Sequence, residues 1–304
     1  MKLEGLEALV ATVDTGTVSG AARRLNLSKS TLSERLTELE RSVGAHLVQR
    51  TTRKLSVTEE GLAFLEHARR ILREASEAKA EITERRGTLV GPLRISAPVS
   101  FGTLHVGPAL YPFLAANPGI QLTLDLDDRF VEVAADGYDA VIRHGPIADA
   151  RLIAKRIATS KRHLVAAPEY LRRTGVPRRV EDLETHTGIL YLNRDTDWRL
   201  RTARGDIVAR PARALRVNNG LIMRDAAVAG LGITLLPSFL VQRELKRGSL
   251  RVLDVGATPE SAEIFVAYPT ARGATAKVLA LTECLRKAFG NPPYWEKAGS
   301  ARQA

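Results

Sequence analysis

SGAARRLNLSKSTLSERLTELE, residues 19–40, decides how the start of this chain folds. It reads as two short helices joined by a tight turn. Ala21, Ala22 and Leu25 give the first helix one apolar side, small enough for a second helix to approach closely. Leu32, Leu36, Leu39 and Val43 recur at i, i+4, i+7 and i+11, a single stripe on the second helix. Between the two, Asn26 is a residue type that tolerates left-handed backbone angles, and Ser28 is a good N-cap. Two helices across so short a turn make a helix-turn-helix unit.

With the leucines inward, a turn of about 100° per residue points Ser30, Glu34 and Thr37 outward, with Ser33 on the flank and Lys29 at the helix start. A merely solvated face usually carries longer Lys and Glu. Short polar side chains with one cation and one anion suit base edges in a major groove. An alanine-rich helical hairpin of no special purpose is the competing reading.

On either side the pattern continues. Leu3, Leu6, Leu9 and Val13 are spaced for the inner face of a first helix, which Gly16 ends; Gly44 ends the helix after residue 40. Residues 46–57 read as a short hairpin with basic residues 50–54 at or near its tip. Such a wing projects beside a groove, where Arg53 reaches phosphate or the minor groove; an ordinary basic turn is the alternative. Thr58 then caps a helix running to about Arg86, with Leu62, Leu65, Leu72, Ala75 and Ile82 on one seam. It spans roughly 40 Å, and a lone helix of that length with one apolar seam needs a partner. It is read as a dimerisation helix.

These first sixty residues resemble the N-terminal domain of the LysR-type transcriptional regulators. The resemblance rests on Leu6, Thr15-Gly16-Thr17-Val18-Ser19, Ala21-Ala22, Leu25, Ser28, Ser33, Leu39-Glu40, Gly44, Leu47, Arg50, Arg53, Thr58 and Gly61. Thr17-Val18 stand where the family commonly has Ser-Phe, and Val48 where it has Phe. Lys29 and Glu34 occupy positions of frequent Gln or Arg on the reading surface, so no family target sequence is carried over. The candidate DNA-binding set is Thr17, Lys29, Ser30, Ser33, Glu34, Thr37 and Arg53. The resemblance also implies pairing through the linker helix.

The chain has 304 residues, enough for two domains. It contains no run of eighteen apolar residues, and its first residues are too acidic for a secretory signal, so a cytoplasmic protein without a membrane partner is expected. Cys284 is the only cysteine, which excludes an internal disulfide. The net charge of +11 is uneven: residues 1–88 hold 15 Lys or Arg against 13 Asp or Glu, and residues 89–304 hold 30 against 21. Phosphate contacts at the nearly neutral DNA-binding end must come from local placement, as with Arg23, Arg24, Lys29, Arg50, Arg53 and Lys54. The excess on the larger part favours anionic ligands or non-specific DNA association, or is simply a basic, soluble surface.

From Leu93 the rhythm becomes strand and helix in alternation. Strands are expected at residues 93–96, 121–126, 140–142, 164–167, 233–236 and 264–267, and helices within 101–116 and at 219–229 and 275–289. That predicts a parallel-rich α/β domain. The tail after Asn291 is expected to be mobile. Residues 91–96, Asp128-Arg129, residues 136–143 and residues 229–233 with Pro237 resemble the LysR effector-binding domain. The resemblance implies a periplasmic-binding-protein-like fold of two lobes around a cleft. The overall expectation is α/β: a winged helix-turn-helix at 1–58, a linker helix at 59–88 and an effector-binding domain at 89–295. Lobe I takes 92–160 plus 268–290, and lobe II takes 161–267.

Ligands in open α/β sheets settle at strand ends near helix starts. Two such places are residues 96–101, with Ser96, Val99, Ser100 and Phe101, and residues 217–220, with Asn218 and Asn219. If the lobes face each other, these helix starts flank one cleft fit for a carboxylate. Arg143 and His144 follow a buried strand and could add a cation, and Trp198 a flat wall. Each has a plainer reading: Ser100 and Asn219 as helix caps, Arg143 paired with Asp128 or Asp139, Trp198 as packing.

Enzyme signatures are missing. The six histidines lack metal-ligand spacing, Gly230-Leu231-Gly232 is too short for a dinucleotide fingerprint, and no Gly-x-Ser-x-Gly occurs. No cofactor is expected. A transport binding protein would not begin with a helix-turn-helix. The expected partners are double-stranded DNA, a small-molecule effector and a second copy of the chain, with a tetramer suggested by the family and RNA polymerase a further candidate.

Overall fold

The computed structural model describes residues 1–50, 55–84, 88–129, 133, 136–192, 198–203, 205–211, 213–271 and 273–297. The chain divides into two compact units, residues 1–92 and 93–304.

The first unit contains α1 (Leu3–Thr15), α2 (Val18–Arg24), α3 (Lys29–Val43), β1 (Val48–Arg50), β2 (Leu55–Val57) and α4 (Glu59–Glu84). Its punctuation is local. Gly16 and Gly44 close α1 and α3 in the left-handed conformation. Asn26 turns the chain between α2 and α3 at φ 53°. Ser28 Oγ accepts from the Thr31 N–H at 3.0 Å, and Thr58 Oγ1 accepts from the Gly61 N–H at 2.9 Å. Leu6, Leu9, Ala21, Ala22, Leu32, Leu36, Leu39, Leu47, Leu65 and Ala68 form one core. Leu3 does not share the inner face: it begins α1, past the edge of that core, and is 40% exposed. The seam of α4 is likewise split. Leu65 and Ala68 are buried, whereas Leu62 and Ile82 are exposed.

The second unit holds two five-stranded sheets. One uses β3 (Gly91–Ala97), β4 (Ile120–Leu126), β5 (Ala140–His144), β6 (Leu152–Ser160) and β15 (Ala262–Pro269) in the order β4-β3-β5-β15-β6. After β3 the chain forms a helical run: α5 (Val99–Phe101), a π-helical turn (Gly102–Val106) and α6 (Gly107–Ala116). The other sheet uses β7 (Arg162–Ala166), β8 (Thr187–Tyr191), β11 (Arg213–Val217), β12 (Ile233–Pro237) and β13 (Arg251–Val252) in the order β11-β8-β12-β7-β13. A small sheet of β9 (Arg199–Thr202), β10 (Gly205–Val208) and β14 (Thr258–Pro259) adjoins it in sequence. The helices α7 (Pro168–Thr174), α8 (Gly220–Val228), α9 (Ser238–Arg247) and α10 (Ala276–Phe289) complete the unit.

The sheets are mixed rather than parallel-rich. β3 and β5 pair in parallel, as do β8 with β11 and β12, but β15 runs antiparallel to both β5 and β6, and β12 runs antiparallel to β7. The reason is the double crossing of the chain. It leaves the first sheet along β6, passes Lys161 and enters the second along β7; it returns along β15. Crossing strands run against the strands they join. β15 therefore belongs to lobe I from Ala262, which corrects the division that left residues up to 267 in lobe II.

Residues 291–297 are also not a loose tail. Trp295 is 2% exposed, and its indole N–H donates to the Thr159 carbonyl at 3.1 Å. The ring docks against Phe289 and Phe101, a gain that outweighs the ordering of a few terminal residues.

Candidate DNA-reading face and ligand cleft

On α3, Leu32, Leu36 and Leu39 face the core, which leaves Lys29, Ser30, Glu34 and Thr37 exposed and Ser33 half-buried. The cap at Ser28 orders the first turn: its Oγ lies 2.7 Å from Ser30 Oγ and 2.8 Å from Thr31 Oγ1. Thr37 donates to the Ser33 carbonyl at 3.0 Å, so its methyl and not its hydroxyl hydrogen is left to face outward. Thr17 is exposed and caps α2, its Oγ1 accepting from the Gly20 N–H at 3.0 Å. The wing pairs Val48 with Val57 and Arg50 with Leu55. Arg53 lies outside the described residues. Sequence reasoning missed what anchors the wing: Glu40 Oε1 accepts from the N–H groups of Leu47 at 2.8 Å and Val48 at 3.2 Å.

In the second unit, the two strand-to-helix junctions meet. A Cβ on Gly220, at the start of α8, would lie 2.7 Å from Leu240 Cδ1 and 3.4 Å from Ser100 Oγ. Ser100 is buried, and its hydroxyl finds no hydrogen-bond partner among the described residues. Ser96 is buried and accepts from Arg143 Nη2 at 3.0 Å, while Arg143 Nη1 donates to the Ile142 carbonyl at 2.8 Å. Burial pulls the Arg143 pKa down, against the opposing pull of Asp127, Tyr138 and Asp128. Asp128 Oδ1 accepts from the Val99 N–H at 3.0 Å. That helix start is therefore already satisfied at its first residue. Burial raises the Asp128 pKa, with the Val99 hydrogen bond opposing it.

Other candidates have structural posts. Asn219 Oδ1 accepts from the Leu221 and Ile222 N–H groups at 3.0 and 3.3 Å, so it caps α8, while Asn218 is exposed. Trp198 is not a cleft wall. It is 1% exposed in the lobe II core, its ring close against Gly188. Phe101 is fully buried in an aromatic cluster and cannot line a cleft. His144 belongs to the same cluster, stacked on Phe239 with ring centres 5.2 Å apart. Of the expected residues, Ser96 and Arg143 come together through their hydrogen bond, and Ser100 stands against the start of α8; Leu240 and the reach of Asp128 to the Val99 N–H were missed. Asp128 stood in the sequence next to Asp127 and Arg129, but nothing local showed that it reaches a helix start.

The lone Cys284 is half-buried, and burial raises its thiol pKa. Among the described residues no group of His, Cys, Asp and Glu is placed to hold a metal, and no helix is long and apolar enough to cross a membrane.

A capped helix-turn-helix, a β wing, a long helix and a two-lobed α/β unit define a class, and the comparisons agree with it. Residues 3–62 match the family of bacterial regulatory helix-turn-helix proteins of the lysR type, and residues 86–290 match the LysR substrate binding domain. The chain belongs to the LysR family of DNA-binding transcriptional regulators, with an effector-binding domain. It is 32% identical to the regulator PtxR of Pseudomonas aeruginosa, across 97% of this chain and 95% of that protein. An uncharacterised helix-turn-helix regulator of Haemophilus influenzae is also 32% identical, over 92% and 98% of the two chains. Among solved structures, the full-length Vibrio cholerae virulence activator AphB matches with TM-score 0.58 and 28% identity, over 94% of this chain and 98% of that one. CrgA of Neisseria meningitidis matches with TM-score 0.57 and 27% identity, over 95% and 97%.

Proposed function

We propose that this regulator reads its operator with α3 and responds to a small anionic ligand, carboxylate-bearing, held between the lobes. The exposed face of α3 carries the first part. Lys29, Ser30, Glu34 and Thr37 stand on one side of a helix whose other side is locked into the core. Ser33 lies on the flank, with Thr17 and Arg53 contributing phosphate or minor-groove contacts. Two copies paired through α4 present two such faces to half-sites of an inverted repeat. A tetramer and a contact with RNA polymerase extend this reading, which is set in the cytoplasm.

For the ligand, support comes from the Ser96–Arg143 pair at the end of β3 and from Ser100 where two helix starts approach. Arg143 is the group to meet a carboxylate. Asp127 and Asp128 offset part of its charge, which favours a ligand with one anionic end and a polar remainder. The ligand acts only by preferring one lobe arrangement, a preference that the linker helix passes to the DNA-reading heads.

The deciding experiment is fluorescence anisotropy against the duplex upstream of the protein's own gene, with a random duplex of equal length as control, at several salt concentrations. Tighter binding to the upstream duplex that survives physiological salt is expected. Equal, steeply salt-sensitive binding to this and to every other promoter duplex tried would leave only phosphate attraction.

A further inference from the structure

The chain ends its described course by running across the point where it passes between lobes. Lys161 is the single residue between β6 and β7. Its carbonyl accepts from the Ser238 N–H at 2.8 Å and from Ser238 Oγ at 3.1 Å, at the start of α9 in lobe II. Its N–H donates the other way, to Glu296 Oε1 at 2.8 Å. The crossing residue is thus held from both sides, once by lobe II and once by the C-terminal segment.

That segment grips both lobes. Toward lobe I, the Trp295 indole donates to Thr159 on β6, and its ring packs on Phe289 of α10 and on His105 in the π-helical turn, with centres 5.1 and 4.9 Å apart. The Tyr294 hydroxyl bonds His105 Nδ1. Toward lobe II, Gln242 on α9 donates to the carbonyls of Tyr294 and Lys297 at 3.3 and 3.2 Å, and Phe239 lies edge-on to Trp295 at 6.3 Å. The two grips differ in kind. The lobe I side is a buried aromatic anchor with an indole hydrogen bond. The lobe II side is a pair of long amide hydrogen bonds and one edge contact, the weaker set.

We infer that residues 291–297 are an interlobe latch: fixed to lobe I by Trp295, they hold lobe II through Gln242 and the crossing through Glu296, and so, together with the packing of Phe239 on Phe101, His105 and His144, set the resting arrangement of the lobes. Rotation about Lys161 carries the latch with lobe I. It must break the Gln242 hydrogen bonds and strain the Glu296 contact, and also draw Phe239 of lobe II away from Phe101, His105 and His144 of lobe I. A ligand in the cleft works against this latch, so its contacts help set the threshold of response. This part of the inference rests on the proposed function; the latch itself does not.

The test uses the full-length chain in a C284S background. Spin labels are placed on exposed cysteines at Tyr111→Cys in lobe I and Val176→Cys in lobe II, with excess unlabelled chain to suppress distances between copies. Pulsed dipolar spectroscopy then reads the interlobe distance with neither DNA nor ligand present. One narrow distribution is expected for the parent. Gln242→Ala with Glu296→Ala is expected to raise the minor arrangement about tenfold, with the thermal transition little changed. A distribution superimposable on the parent's would overturn the latch. If the double variant does not fold, Gln242→Ala alone is read in the same way, since it leaves the aromatic anchor whole. Specific DNA binding, measured separately, tests the proposed function and is not decided by this outcome.

Discussion

Glu34 is the residue on which the proposed reading of bases by α3 turns most sharply. An acid on a DNA-facing helix meets the phosphate field at a cost, and it is useful where it accepts from a cytosine N4 amine. It is exposed at the second turn of α3 with Ser30 one turn before it. Glu34→Gln is expected to relax base preference at one operator position by roughly 1–3 kcal/mol while raising affinity for random duplex. A binding-site selection that returns the same preference for both proteins would remove Glu34 from the reading set. His105 is the second decisive residue. Burial lowers its pKa from 6.5 to about 4, the carbonyl of Phe239 opposing. The carbonyl only accepts, so Nε2 carries the proton and Nδ1 accepts from Tyr294, whose own pKa burial raises. Below pH 6.5 the unfolded chain takes up a proton that the folded chain refuses. Stability contributed by neutral His105 is therefore full above that pH and falls steadily toward pH 4. Between about pH 7 and about pH 5 the loss is about 2 kcal/mol. His163 and His186, also lowered mainly by burial, add to it with the same sign. Urea midpoints at the two pH values check this, and His105→Gln should flatten the difference; an equal slope in the variant would move the effect elsewhere.

At the scale of the element, punctuation was legible and pairing was not. Gly16, Asn26, Ser28, Gly44 and Thr58 act within a turn of their own positions, so the residue type alone announces the geometry. The ends of β3, β5 and β12 were visible as apolar runs for the same reason. What a strand pairs with is decided by residues far away, and so β8, its pairing with β11, and the return of β15 to lobe I stayed hidden. Trp198 sits among charged residues without a period, and nothing near it shows the core it fills. Trp295 follows Asn-Pro-Pro-Tyr, which reads as a breaker, although the anchor it makes is distant in sequence. The junction of wing and linker shows the same contrast. Gly61 looked like a family mark; its cause is that a Cβ there would stand 2.0 Å from the Leu47 carbonyl oxygen. Gly61→Ala is expected to destabilise the first unit by roughly 1–3 kcal/mol through overpacking. Glu40→Ala should cost a similar amount, about 1–3 kcal/mol, by leaving the Leu47 and Val48 N–H groups without their acceptor. Chemical unfolding followed in the far ultraviolet would measure both; an unchanged midpoint for Gly61→Ala would mean that α4 shifts freely away from the wing.

At the scale of the whole molecule, the question is whether the meeting of the lobes is a binding place or only packing. Ser100 separates the two. Its hydroxyl is buried, faces Gly220 of the other lobe and has no partner among the described residues, so removing it forfeits no hydrogen bond found there. Asn219 does not separate them, because Asn219→Ala also strips the cap from α8 at a cost of about 1 kcal/mol whether or not a ligand binds. The informative measurement is a thermal-shift series with a panel of small carboxylates, from acetate through succinate to benzoate and hydroxybenzoate. A carboxylate that binds the folded state raises the transition by mass action. Ser100→Ala is expected to melt with the parent when no carboxylate is added, to bind operator DNA equally, and to lose most of the shift that the best carboxylate gives. A variant that already melts lower alone would make Ser100 a packing residue. A shift undiminished in Ser100→Ala, yet abolished by Arg143→Met, would keep the anion and move it off the helix start and onto the guanidinium.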